Sequence, residues 1–252
     1  MSGHSKWASI KHKKAATDAK RGKVFTKIIK MITIAARNGG GNVDTNPALR
    51  LAIQKAKEAN MPQNNIDRAV KKGTGELPGV SYESVTYEGY GPNGVAFFIE
   101  GVTDNKNRMT AEIRNILSKG GGNMASAGAV NWLFEKKGFF VIDKSKIGED
   151  KLMAVILDAG AEDLSGEEET YEVRCQPSDY EKVKQALDEN GVACESAELT
   201  MIPKSTVKVE GDSAKQVLRL VEQLEDNDDV QNVYANFDIP EDILKEDLEQ
   251  NS

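Results

Sequence analysis

Cysteine and histidine are nearly absent from this 252-residue chain, which has two of each: Cys175, Cys194, His4 and His12. Two cysteines cannot make a disulfide framework, and two imidazoles cannot complete a Cys/His zinc cluster, so no metal is expected. No apolar run approaches the ~20 residues of a membrane-spanning helix, so no membrane partner is expected. The opening Met1-Ser2-Gly3-His4-Ser5-Lys6 lacks the apolar core of a signal peptide, and a cytoplasmic location follows as the expectation. Hydrophobic residues at 39% are ordinary for a folded globular protein and exclude a disordered or collagen-like one. At this length two or three domains are expected.

Catalytic constellations are missing as well. His4 and His12 sit in a basic segment with no neighbouring carboxylate to orient them, so a Ser-His-Asp arrangement has no support. Glu167-Glu168-Glu169 and the run Asp226 to Asp229 read as solvated turns rather than acid/base pairs. Gly89-x-Gly91-x-x-Gly94 matches the dinucleotide fingerprint by letter. A strand, Val95-Ala96-Phe97-Phe98-Ile99, follows it where phosphate binding needs a helix, so it reads as a hairpin turn. No Walker A pattern exists, since Gly22-Lys23 is followed by Val24. Cys175 and Cys194 fall in or beside strands, as small core residues do. The reading is therefore not an enzyme, with no cofactor and no small-molecule substrate.

What is present is charge, unevenly spread. The formal net charge is −7, yet residues 1–75 hold 16 Lys+Arg against four acids, a net of +12. The remainder holds 17 bases and 36 acids, a net of −19. Such asymmetry marks a polyanion-binding segment, and the acidic remainder confines any nucleic acid to the N-terminal part. The arm Ser5–Lys14 sets Lys6, Lys11, His12, Lys13 and Lys14 around Trp7. The cations can neutralise phosphates, while the indole can stack on an exposed base or anchor the arm by packing.

A helix is predicted over Asp18–Arg37. At 100° per residue, Val24, Phe25, Ile28, Ile29, Ile32, Ala35 and Ala36 form one face, and Lys20, Lys23, Lys27, Lys30 and Arg37 form a basic stripe about 25 Å long opposite it. Ile34 interrupts that stripe. Asn38-Gly39-Gly40-Gly41 ends the helix, Asn46-Pro47 starts a second, Met61-Pro62 breaks it, and a third closes at Gly73-Thr74-Gly75. Beyond residue 80 the pattern alternates strands and helices. A hairpin joins Ser84–Tyr90 to Val95–Val102, and a helix over Asn105–Ser118 carries Lys106, Arg108 and Arg114 as a minor contact. The run from Gly138 to Ile202 reads β-α-β-β-α-β if Ala161–Leu164 pairs, which is the ferredoxin-like order. Thr206–Val209, a helix at Ser213–Glu225 and a strand at Val230–Phe237 then complete what began at residue 80.

The expected fold class is therefore α+β multidomain. It comprises a basic helical domain (1–75), a discontinuous α+β domain (80–131 plus 205–240), an inserted ferredoxin-like domain (132–204) and an acidic tail (241–252).

The chain resembles the YebC/PmpR family. The likeness runs through Gly3-His4-Ser5-Lys6-Trp7, Lys13-Lys14-Ala15-Ala16, Asp18-Ala19-Lys20-Arg21-Gly22-Lys23, Gly39-Gly40-Gly41, Asn46-Pro47, Asn60-Met61-Pro62 and Lys71-Lys72-Gly73-Thr74-Gly75. It continues in Tyr87-Glu88-Gly89-Tyr90-Gly91-Pro92, Asp104-Asn105-Lys106-Asn107-Arg108, Gly121-Gly122-Asn123 and Met201-Ile202-Pro203, as far as about Phe237. The resemblance implies the same three-domain plan, with no cofactor or enzymatic activity. It implies a DNA-binding transcriptional regulator or, as in other relatives including a mitochondrial one, a ribosome-associated translation factor that helps synthesis through proline runs. The family usually has Arg where this chain has Ala48 and an acid where it has Met31, so the second helix is left out of the site.

The expectation is thus a nucleic-acid-binding regulatory protein, with DNA or ribosomal RNA as partner. Its candidate contacts are Lys6, Trp7, Lys11, His12, Lys13, Lys14, Lys20, Arg21, Lys23, Lys27, Lys30 and Arg37. A stripe made almost wholly of lysine suits phosphate contact better than base reading. A translation factor bound to the ribosome, and a protein-interaction adaptor, stand as alternatives.

Overall fold

A computed structural model describes residues 18–166, 169–240 and 243–244, with side chains from Gly22 onward. Three helices open it: α1 (Asp18–Gly39), α2 (Pro47–Glu58) and α3 (Gln63–Thr74). Both α2 and α3 pack on α1. Their shared core is Ile28, Ile32, Ala35 and Ala36 from α1, Leu49, Ala52 and Ala56 from α2, and Ile66 and Ala69 from α3. Val24, expected on the core face, is exposed instead, because the other two helices reach only the later turns of α1.

Local chemistry explains why the helices begin and end where they do. Buried Asn46 caps α2 by accepting from the Leu49 N–H at 3.1 Å, and its amide donates to the Ala35 and Gly40 carbonyls, both at 2.8 Å. One side chain thus ties the end of α1 to the start of α2. At Gly73 an added Cβ would lie 2.4 Å from the Thr33 carbonyl oxygen, so only glycine allows α3 to approach α1 this closely.

After the bundle comes an antiparallel sheet of β1 (Glu83–Tyr90), β2 (Ala96–Thr103), β3 (Asn123–Ala125) and β9 (Val230–Ala235), in the order β3-β1-β2-β9. Helices α4 (Lys106–Lys119) and α7 (Gly211–Glu225) pack on this sheet and on each other. They contribute Met109, Ile113, Leu117, Val217, Leu220, Val221 and Leu224 to its core.

The segment between these pieces holds β4 (Phe134–Asp143), α5 (Glu149–Leu157), β5 (Ala161–Gly166), β6 (Thr170–Cys175), α6 (Tyr180–Glu189) and β7 (Ser196–Pro203). All the strands pair antiparallel in the order β5-β6-β4-β7, the ferredoxin-like arrangement, over a core centred on Phe140, Ile142, Leu152, Val173, Val183 and Leu187. The α+β multidomain class is as the residues suggested.

The chain divides into two compact units. Of the described residues, one contains 18–130 with Glu210–Ala235, and the other contains Asn131–Val209 with those from Asn236 onward. The helical bundle falls in the same unit as the β3-β1-β2-β9 sheet. One detail differs from expectation. The expected strand Thr206–Val209 does not join that sheet. It forms β8 (Val207–Lys208), which pairs in parallel with β10 (Phe237–Asp238) inside the other unit.

Candidate nucleic-acid interface

The arm residues Lys6, Trp7, Lys11, His12, Lys13 and Lys14 lie outside the described residues, as do the side chains of Lys20 and Arg21 on the first turn of α1. The rest of the expected stripe is in view, and it faces protein. The Lys23 ammonium lies 3.2 Å from the Asp226 carboxylate, on a side chain still half exposed. Lys27 donates to the Glu225 carbonyl at 2.5 Å. Lys30 donates to the Asp228 carbonyl at 2.8 Å and to the Asp229 carboxylate at 2.5 Å. Arg37 donates to the Ser81 hydroxyl at 2.7 Å and the Tyr82 carbonyl at 3.0 Å.

The acceptors of the three lysines sit at or just beyond the C-terminal end of α7, where the last carbonyls of a helix lack intrahelical partners and carry its negative pole. Lysines spaced one turn apart on α1 satisfy them. Ile34, the apolar residue in the stripe, is half-buried on the same face, which suits a protein contact rather than a phosphate contact.

For Lys30 this is a correction. Its residue is only 7% exposed, and its ammonium is enclosed by Asp228, Asp229 and the Tyr82 ring, 5.9 Å from the ring centre. A buried cation must be paired, and Asp229 is its partner. Asp229 is itself a hub, accepting from Thr103 at 2.8 Å and from Arg108 at 2.7 Å. Burial pushes its carboxyl pKa up, but the bonds from Lys30, Arg108 and Thr103 outweigh that and hold it below the ordinary value. Burial, with Asp104 and Asp229 nearby, pushes the Tyr82 phenol up. Arg108, thought of as a minor contact, is held by Asp104 and Asp229. Lys106 and Arg114 are exposed.

The acidic run Asp226–Asp229, expected as a solvated turn, pairs with Lys23 and Lys30 of α1. A signal for this was present: five lysine and arginine positions on one face of α1, and an acidic run directly after an amphipathic helix. Periodicity alone does not say which polyanion a basic face meets.

The motifs of the hairpin region are structural. Glu88 is buried and accepts from the Gly128 and Val130 N–H groups at 2.7 and 2.6 Å, and the Tyr90 hydroxyl donates to the Ala129 carbonyl. Together they strap the loop 126–130 onto β1. An added Cβ would meet the Asn123 carbonyl at Gly89 and the Phe97 ring at Gly91. Gly89 and Gly91 of the fingerprint-like motif therefore serve close packing, and Gly94 supplies the left-handed turn at φ 75°.

Cys175 and Cys194 are pushed up to about 11, burial being the main cause, so neither is poised as a nucleophile at neutral pH. Among the described residues there is no group of three metal-ligating side chains, and no helix is long and apolar enough to cross a membrane.

Several cations that sequence reasoning passed over are open. Lys57 on α2, and Arg68 and Lys71 on α3, are exposed and make no ion pair among the described residues. Their signal was composition: α3 begins Gln63-Asn64-Asn65 and continues through Arg68 to Lys71-Lys72.

Comparison with known proteins agrees with this architecture. Residues 5–76 match the N-terminal domain of TACO1/YebC proteins, and residues 82–237 match the TACO1/YebC second and third domain. A protein of Syntrophobacter fumaroxidans named "Probable transcriptional regulatory protein" is 57% identical over 245 residues, covering 97% of this chain and 98% of its own. One of the same name from Dictyoglomus turgidum is 56% identical over 246 residues, covering 97% and 99%. The crystal structure of a conserved hypothetical protein from Aquifex aeolicus superposes with a TM-score of 0.78 at 46% identity, covering 88% of this chain and 92% of that one. Matched in both its helical and its α+β parts, the chain belongs to the TACO1/YebC family.

Proposed function

We propose that this protein is a non-enzymatic, nucleic-acid-binding regulator of transcription that grips phosphates with its basic N-terminal arm and the start of α1. The observation that carries the reading is the net charge of +12 on residues 1–75 against −19 on the rest. Internal pairing takes up only part of that excess. Lys23 and Lys30 pair with carboxylates, while Lys57, Arg68 and Lys71 are open among the described residues. The relatives' name, transcriptional regulatory protein, supports the same role.

In this reading Lys6, Lys11, His12, Lys13, Lys14, Lys20 and Arg21 neutralise phosphates and release counterions, and Trp7 stacks on a base or seats the arm. Lys30 holds the bundle on the sheet domain, and so stands outside the grip. Lys23, Lys27 and Arg37 contribute only as far as phosphate displaces their present acceptors. The acidic remainder keeps nucleic acid on the N-terminal side.

The test is the salt dependence of binding by the intact chain to duplex DNA and, in parallel, to purified ribosomes. About six phosphate contacts give a log–log slope near −5 on B-DNA. Sequence-selective DNA binding that survives near-physiological salt supports transcriptional regulation. Tight ribosome binding with weak, sequence-blind DNA binding makes the protein a translation factor instead, and weak binding to both favours a protein-interaction adaptor.

A further inference from the structure

We infer that α2, the turn Ala59–Pro62 and α3 form a helix-turn-helix unit whose second helix, α3, enters the major groove of duplex DNA and reads base edges with Asn64, Arg68 and Lys71. The inference rests on the nucleic-acid-binding role proposed above and names the form of nucleic acid and the reading residues.

The turn supplies the first observation. It spans four residues between two 12-residue helices, within the range of helix-turn-helix connections. Asn60 takes the left-handed conformation at φ 56°, its N–H bonds the Lys57 carbonyl, and the Met61 N–H reaches back to the Ala56 carbonyl, both at 2.9 Å. This is the Schellman closure, with Asn in the place that glycine usually fills. Met61 is buried with Ala56 in the bundle core, and Pro62 starts α3 at once, so the turn is rigid. Helix α1 lies against both helices, as the third helix of such a unit must.

The outward face of α3 supplies the second. Ile66, Ala69 and Gly73 are buried. At 100° per residue Asn64, Arg68 and Lys71 cluster on the opposite side, all exposed and all without a hydrogen bond to their side chains among the described residues. Gln63 is turned aside to Asp67, at 2.8 Å.

This face sets an exposed amide beside its cations, which the α1 stripe does not. Asparagine pairs bidentately with adenine, and arginine or lysine with guanine. A helix 10–12 Å across fits the ~12 Å major groove of B-DNA, while the major groove of A-form RNA is too narrow for it. Lys23, Lys27 and Lys30 of α1 are engaged with the end of α7 and Arg37 with Ser81 and Tyr82, so among the described residues a base-reading surface on the bundle falls to α3.

The experiment selects binders from a pool of randomised DNA duplexes with the full chain and with Arg68→Ala, Arg68→Lys, Asn64→Ala and the arm variant Lys13→Ala/Lys14→Ala. Each selected duplex is then compared with its RNA counterpart. The expected result is a sequence motif enriched by the unaltered chain and absent at one position in each α3 variant, with affinity for the selected duplex down about 5- to 150-fold. Arg68→Lys keeps the salt slope yet loses the base preference, which a folding defect would not produce. The arm variant weakens all duplexes alike.

A motif selected identically by the α3 variants overturns the inference and leaves the proposed function standing. Equal binding of DNA and RNA duplexes, or no enriched motif, also overturns it. Failure of the unaltered chain to bind any nucleic acid removes both.

Discussion

At the residue scale the protein turns on Asp229. Its carboxylate meets Lys30, Arg108 and Thr103 in a buried cluster, so removing it leaves the Lys30 ammonium enclosed without a counter-charge. Asp229→Ala is expected to cost about 3–5 kcal/mol, read as a lower urea midpoint at unchanged m-value. Lys30→Met is expected to cost less, because Arg108 and Thr103 still serve the carboxylate. The same carboxyl sets an acid dependence. Its folded pKa lies below its unfolded one, so its stabilisation is complete above the ordinary carboxylate range and is lost as pH falls through the depressed folded value. A melting-temperature series from neutral pH downward should therefore fall more steeply at its acid end for the unaltered chain than for Asp229→Asn. Sequence reasoning sees Lys30 and Asp229 separately, each as solvated. They are 199 positions apart, and no local pattern announces a pair at that separation.

At the scale of elements the sequence is far more legible. The β-α-β-β-α-β run, the hairpin turn and the helix breaks at Asn38–Gly41 and Met61-Pro62 follow from period, glycine and proline, which act over a few residues. The partner of β8 is not legible, because a two-residue strand carries too little pattern to show it, and pairing with β10 depends on the chain's return. The recognition-like face of α3 is hidden for another reason. Its amides and arginine are spread over two turns and emerge as one face only when the buried side of the helix is known. The turn before it offers a sharp test. Asn60→Gly should be neutral within a few tenths of a kcal/mol, whereas Asn60→Val, forcing a β-branched residue into the left-handed region, should cost about 1–2 kcal/mol or more in thermal or urea unfolding. A valine that cost nothing would mean that α2 and α3 are joined by a different turn.

At the scale of the whole molecule, the basic N-terminal part and the acidic remainder partly neutralise each other. The end of α7 takes up Lys23, Lys27 and Lys30 of α1. Lys57, Arg68 and Lys71 are open among the described residues, and the sequence sets four further lysines in the arm. The salt slope then becomes a census of which cations meet phosphate. Replacing Lys6, Lys11, Lys13 and Lys14 together by alanine should reduce the magnitude of the B-DNA slope by roughly 3–4, at about 0.9 for each phosphate no longer neutralised. Replacing Lys23 should change it by less than one, since its ammonium already has Asp226 beside it, and neutralising Glu167–Glu169 should leave it unchanged. If Lys23 and Lys27 instead carried as much of the slope as the arm, nucleic acid would have to displace the end of α7 from α1. The bundle would then bind in an arrangement in which α1 and α7 have separated. Asp229→Asn, which loosens the same pairing, distinguishes the two cases. It should leave the slope unaltered where the arm does the gripping and steepen it where the stripe must first be released.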